Sequence, residues 1–310
     1  MNASTSRPVP DLPPLLSGLS AIAENYDVIL CDVWGVIHNG VNYFAKATDA
    51  LTAFRRRGGA VILLTNAPRP GEKVRGFLDH LGVPHDAYDC LVSSGDVTIS
   101  LILGRGERPL AHIGPPQDRS LFEVAERICA KKLHFAALEA ADFVVCTGLD
   151  DADRETPADY RGRLELMRRH GLDLICANPD IVVEVGERLV FCAGALAEAY
   201  AEMGGRVIQA GKPYAPIYAR ALAEASSLLT RAGAQRPLDP ERILAIGDSM
   251  QTDIKGAQAQ SLATLFVTSG IHRAEVHAAA QAPEFDAAAF HQFFETTGFA
   301  PTAAIAELVW

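Results

Sequence analysis

Five short runs in this chain are almost wholly apolar, and each is about as long as one strand. They are DVILC (27–31), AVILL (60–64), RVIQA (206–210), ILAIG (243–247) and TLFVT (264–268). A strand that is apolar on both sides of its pleat has to be covered on both faces, which helices above and below a sheet provide. The stretches between these runs carry helical patterns. KATDALTAFRRRGG has Gly58 placed to stop a helix, and EKVRGFLDHLG ends near Gly82. The three arginines at 55–57 close the first of these, where cations complement the helix dipole. Strand and helix in alternation predict an α/β protein with a doubly wound parallel sheet.

The middle of the chain holds a second set of strand-like runs: RPLAHIG (108–114), DFVVCTGLD (142–150), LDLICANPD (172–180) and ERLVFCAGA (187–195). At 310 residues the chain is long enough for two domains. Its net charge of −10 argues against a nucleic-acid or membrane-surface partner. No apolar run approaches the ~20 residues that span a bilayer, and the N-terminus lacks the pattern of a signal peptide. With four prolines in its first fourteen residues, that end reads as a mobile extension. The six cysteines (31, 90, 129, 146, 176 and 192) form no CxxC pair, so buried free thiols in a reducing cytoplasm are expected. The aromatic tail from 283 to 310 has residues enough to dock on the core or on a second subunit of a homodimer.

In open parallel sheets ligands bind beyond the carboxyl ends of the strands. Asp32 follows VILC, and Thr65 and Asn66 follow AVILL. Lys212 follows RVIQAG; Asp248 and then Asp253 follow ILAIG in the loop GDSMQTD. Taken singly, each is ordinary turn or capping chemistry. Together they form a working set. Three converging carboxylates repel unless a cation lies among them, and a hard divalent ion such as Mg2+ suits oxygen donors. Lys212 supplies a point charge for a phosphate, Thr65 and Asn66 supply neutral donors at a helix start, and Asp32 is free to attack phosphorus.

The segments DVWGVIHNG, LLTNAPRP, QAGKPYAPIY and AIGDSMQTDIKGA resemble those of the haloacid dehalogenase superfamily. Within it the chain looks most like class IIA, the 4-nitrophenyl phosphatase, pyridoxal phosphatase and sugar-phosphate phosphatase branch. VVCTGLDD, CANPD and CAGALAEAY are similar to the segments around that class's substrate-facing loops. The resemblance runs from about residue 25 to about 272. It implies a Rossmann-type core (20–104 and 196–310), an inserted α/β cap of the C2 type (105–195) and an extension at 1–19. It further implies a cytoplasmic, Mg2+-dependent phosphohydrolase acting on a small phosphorylated metabolite through an aspartyl-phosphate. Asp32 would be nucleophile and metal ligand, with the backbone carbonyl of Trp34, Asp248 and Asp253 completing the metal site. Thr65, Asn66 and Lys212 would hold the phosphoryl group. Asn178 and Asp180 would lie near the cleft between cap and core, either touching substrate or forming a turn.

Trp34 stands where the family has a second aspartate, the proton donor and acceptor of the reaction. An indole N–H only donates hydrogen bonds and cannot do that work at neutral pH. Three readings follow: a phosphatase confined to good leaving groups, a phosphatase with a substitute acid such as His38, or a non-catalytic phosphate-ligand or protein-binding module. Dehalogenases also carry an aromatic residue here, but they work without magnesium and lack the metal loop, so Asp248 and Asp253 speak against that chemistry. His272, Glu275 and His277 follow the last core strand with no ligand spacing and read as a loop.

Overall fold

The structure is a computed structural model describing residues 12–185, 188–231, 233, 237–276 and 287–310. Thirteen strands occur among them. In chain order they are β1 (Leu15–Leu16), β2 (Val28–Asp32), β3 (Ala60–Thr65), β4 (Cys90–Ser93), β5 (Leu110–Ile113), β6 (Phe143–Cys146) and β7 (Asp173–Cys176). Then come β8 (Val182–Val185), β9 (Arg188–Phe191), β10 (Val207–Gln209), β11 (Ile243–Gly247), β12 (Ala263–Val267) and β13 (Ala303–Ile305).

Seven of them form one parallel sheet in the order β1-β13-β12-β11-β2-β3-β4. Alternate residues of the central strands enter two different cores. Ile29, Cys31, Val61, Leu63, Leu244 and Ile246 face one side. Val28, Leu30, Ile62, Leu64, Ile243 and Ala245 face the other. This two-sided burial is what the unbroken apolar runs require. From β2 the chain builds outward through β3 and β4 on one side, while β11, β12 and β13 extend the other. The strand order therefore reverses between β2 and β11, the place where such sheets bind ligands.

A second parallel sheet, β10-β7-β6-β5, forms an inserted α/β unit with apolar clusters on both faces. The run 206–210, expected in the main sheet, lies here instead: β10 pairs with β7, Val207 opposite Leu174. The inserted unit thus runs past 195, to about residue 210. The run 187–195 also departs from expectation, since only Arg188–Phe191 is extended, and it pairs antiparallel with β8 in a ribbon apart from both sheets. The helix Ser94–Leu103 serves both units. Its Val97 packs into the main core and its Ile99 and Ile102 into the inserted one.

Within the expected extension at 1–19, residues 12–19 pack on the core. Leu15 and Leu16 pair with Ala304 and Ile305, and Leu19 is fully buried with its N–H donated to Val309 O at 2.8 Å. Residues 1–11 lie outside the described residues. The aromatic tail docks on the core: in the helix Ala287–Thr297, Phe290, Phe293 and Phe294 pack with Met250, Ile254 and Phe266. No helix among the described residues is long and apolar enough to cross a membrane.

Candidate active site

Asp32 ends β2, and Asp248 follows the neighbouring strand β11, so parallel pairing of the two strands sets their carboxylates side by side. Asp253 reaches the same place from the five-residue π-helical turn Met250–Ile254, and its Oδ2 accepts the Ser249 N–H at 3.1 Å. One oxygen from each of the three lies within 4.8 Å of the others, and all three residues are buried.

Lys212 is 3% exposed and enters from the inserted unit's side, three residues beyond β10. Its Nζ donates to Asp32 Oδ1 at 2.5 Å, to Asp253 Oδ1 at 2.7 Å and to Leu64 O at 3.2 Å. Burial pulls the ammonium down, but the charges of Asp253 and Asp32 outweigh it and hold Lys212 above its ordinary value. Burial also pushes Asp32 up to about 7, with the Asp253 charge adding and Lys212 opposing. Asp248 is raised as well, by burial first and then by Asp32 and Asp253. Three carboxylates facing one ammonium leave uncompensated negative charge, and every donor in the cluster is a hard oxygen. That donor set fits a small divalent cation.

Two glycines make room for Asp248. Gly35 has φ +82°, and a Cβ there would overlap Asp248 Oδ2; one at Gly270 would overlap the same carboxylate. The neighbouring Ile271 N–H donates to Asp248 Oδ2 at 2.9 Å. The Gly in DVWG, three residues after a candidate metal ligand, was the readable sign of this close approach.

Thr65 and Asn66 lie where β3 ends, both buried. Thr65 Oγ1 accepts the Ala67 N–H at 3.2 Å. The Asn66 amide joins the two units. Its Oδ1 accepts the Lys212 N–H at 2.7 Å, and its Nδ2 donates to Lys212 O at 3.1 Å and to Asp180 Oδ1 at 2.8 Å. Asn178 is buried nearby and turns the loop, its Oδ1 accepting the Asp180 N–H at 3.0 Å.

Trp34 and His38 occupy the flap after β2. The Trp34 ring meets His38 edge-on with centroids 5.0 Å apart, and His38 meets Phe77 likewise at 5.5 Å. A Cβ at Gly40 would crowd the Trp34 ring. His38 Nδ1 accepts the Gly40 N–H at 2.9 Å, and burial lowers its pKa to about 4, so the ring is neutral at pH 7. Neither side chain is a proton donor of useful strength in this setting. His272 caps the other side of the metal loop, its Nε2 facing the Met250 N–H at 3.3 Å and its Nδ1 paired with Glu275. His277 lies outside the described residues.

One contact between the units had no sequence signal. Arg69 Nε donates to Asp118 Oδ1 at 3.0 Å; the aspartate side chain is 3% exposed and the arginine 47%.

Known proteins share this fold. Residues 29–126 match the family described as "Haloacid dehalogenase-like hydrolase", and residues 209–291 match "HAD-hyrolase-like". A solved hydrolase of the haloacid dehalogenase-like family from Brucella suis 1330 is 41% identical; the match covers 95% of this chain and 100% of that one, with a TM-score of 0.80. The chain belongs to the haloacid dehalogenase-like hydrolase family. A possible sugar phosphatase from Cytophaga hutchinsonii shares the fold at 19% identity and a TM-score of 0.74, over 96% of this chain and 99% of that one. Among curated proteins, D-glycerol 3-phosphate phosphatase of Mycobacterium tuberculosis (strain ATCC 25618 / H37Rv) is 27% identical over 83% of this chain and 67% of its own length.

Proposed function

We propose that this chain is a magnesium-dependent phosphatase of class IIA, with the inserted unit as its cap and a small phosphorylated metabolite as its substrate. The observation that carries this is the buried ammonium of Lys212 bridging Asp32 and Asp253, with Asp248 beside them at the switch point of the sheet. Relatives named for sugar-phosphate and glycerol-phosphate hydrolysis support the substrate class.

Asp32, Asp248, Asp253 and the Trp34 carbonyl would hold Mg2+. That ion, when bound, supplies positive charge for the phosphoryl oxygens and fixes the phosphate for in-line attack. The protein's own groups do the rest. An Asp32 carboxylate oxygen attacks phosphorus, and the P–O bond to the leaving group breaks as the aspartyl-phosphate forms. Lys212 offsets charge on both the nucleophile and the phosphoryl group. Thr65 and Asn66 position the phosphoryl oxygens. Water then cleaves the aspartyl-phosphate and restores Asp32.

Steady-state assays with 4-nitrophenyl phosphate test this reading. Turnover is expected to require added Mg2+ and to disappear in Asp32→Asn. Mg2+ is also expected to raise the thermal midpoint, because it offsets repulsion within the folded site. Metal-dependent binding of phosphate esters without any turnover would instead establish a binding module.

A further inference from the structure

An ester of an ordinary alcohol leaves as an alkoxide, which needs a proton as its bond to phosphorus breaks. Trp34 cannot supply one, and the neutral His38 ring is engaged with the Gly40 N–H. Asp32, Asp248 and Asp253 are committed to nucleophile and metal duty, and Lys212 is shared between two of them. One more carboxyl lies close by, and it comes from the cap.

Asp180 sits in the loop after β7. Its backbone is fixed from both sides, its N–H donating to Asn178 Oδ1 at 3.0 Å and its carbonyl accepting the Gly194 N–H at 3.2 Å. A Cβ at Gly194 would overlap the carbonyls of Pro179 and Asp180, so the loop is pressed against the following helix. Its Oδ1 accepts from Asn66 Nδ2 at 2.8 Å, and that same amide holds the Lys212 N–H through its oxygen. The carboxyl is therefore one side chain away from the Lys212 backbone, on the cap side. Among the described residues no other hydrogen bond reaches this carboxyl.

We propose that Asp180 is the general acid and base of this enzyme, doing from the cap what Trp34 cannot do from the core. The proposal rests on the phosphatase reading above. In the first half-reaction the Asp32–phosphorus bond forms and the ester P–O bond breaks. The electron pair of that bond stays on the leaving oxygen, which takes the carboxyl proton of Asp180 and departs as an alcohol. In the second half-reaction the Asp180 carboxylate takes a proton from the water attacking phosphorus, and the Asp32–phosphorus bond breaks. Both carboxyl groups are then as they began.

The charged and titratable groups facing Asp180 are Lys212 and Asp253 from the core and Cys176 and Cys192 from the cap. Burial raises its pKa above the ordinary carboxylate value; Lys212 and the Asn66 amide oppose this, and the Asp253 charge adds to it. A carboxyl so placed holds its proton to higher pH than an exposed one.

The test compares two esters, glycerol 3-phosphate with a poor leaving group and 4-nitrophenyl phosphate with a good one. Wild type, Asp180→Asn and Asp32→Asn are assayed with Mg2+ across pH 5 to 9. Asparagine keeps the shape of Asp180 and its acceptor for Asn66, and aryl-ester turnover reports that the variant has folded. Asp180→Asn is expected to lose about 10²–10⁴-fold in kcat/KM on the alkyl ester, with a loss of under ~10-fold in kcat/KM on the aryl ester, because kcat/KM reports formation of the aspartyl-phosphate while the base step, common to both esters, lowers kcat on each. It should also lose the alkaline fall in kcat/KM that the alkyl ester shows with wild type. Equal loss in kcat/KM on both esters, with Asp32→Asn inactive, would overturn the acid role alone. No turnover of either ester by wild type would overturn the phosphatase reading and this proposal with it.

Discussion

At His38, packing between Trp34 and Phe77 strips hydration from the ring, and the pKa falls from 6.5 to about 4. Because the folded value is the lower one, protonation favours the unfolded chain. The stabilisation is complete above about pH 6.5 and is lost as pH falls toward about 4. Wild type is thus expected to lose more stability than His38→Leu between pH 7.5 and pH 4.5. Urea midpoints at the two pH values measure this, and His112, lowered in the same direction by burial, cancels in the comparison. Equal losses would show that the ring carries no such penalty. Some of this chemistry is legible in the sequence. Asp32, Thr65 and Asp248 each follow an apolar run of the main sheet, so their convergence follows from strand pairing alone. The bridging role of Asn66 was not legible, because it depends on a residue 146 positions away. Lys212 lies beside Asp32 and Asp253, but it arrives from the inserted sheet, whereas the sequence suggested a strand of the main one.

Most strands of four or more residues were readable, and of the three shorter ones only β10 was. β1 and β13 contain two and three residues, too few for any period to show. β4 was missed although a cue follows it. Ser93 and Asp96 form a capping box at the start of the helix Ser94–Leu103, Ser93 Oγ accepting the Asp96 N–H at 3.0 Å. The tail illustrates the other limit: its aromatic residues show that it must dock, and only the fold shows where. Phe294 is 1% exposed against Phe290, Phe293 and Phe266. Phe294→Ala is expected to destabilise the protein by about 3–5 kcal/mol, through lost transfer energy and a cavity. Chemical denaturation measures it, and a loss below about 1 kcal/mol would mean that the helix lies off the core.

For the molecule as a whole, the joint between the two units matters most. It consists of the shared helix Ser94–Leu103, the Asn66 amide and the Arg69–Asp118 pair. Asp118 is raised by burial, with Arg69 and then Thr147 opposing. Arg69→Ala leaves that carboxyl buried with only Thr147 to satisfy it, which is expected to cost about 1–3 kcal/mol. Adding Asp118→Asn should recover part of the loss, since it removes the stranded charge. Thermal midpoints of the two single variants and the double variant check this, and strictly additive losses would mean that the pair does not couple the units.

The position of Lys212 bears on any attempt to exchange parts between relatives. β10 is the last strand of the inserted sheet, and the residue that neutralises Asp32 stands three positions beyond it. Gly211 lies between, held so closely that a Cβ would overlap the Asn66 side chain. A chimera in which this unit came from another family member would therefore inherit the donor's aim for the ammonium. Grafts cut at residue 195 would leave β10 behind without its partner β7. Cuts placed before the helix Ser94–Leu103 and after Pro213 would move the sheet, its shared helix and the cation as one piece.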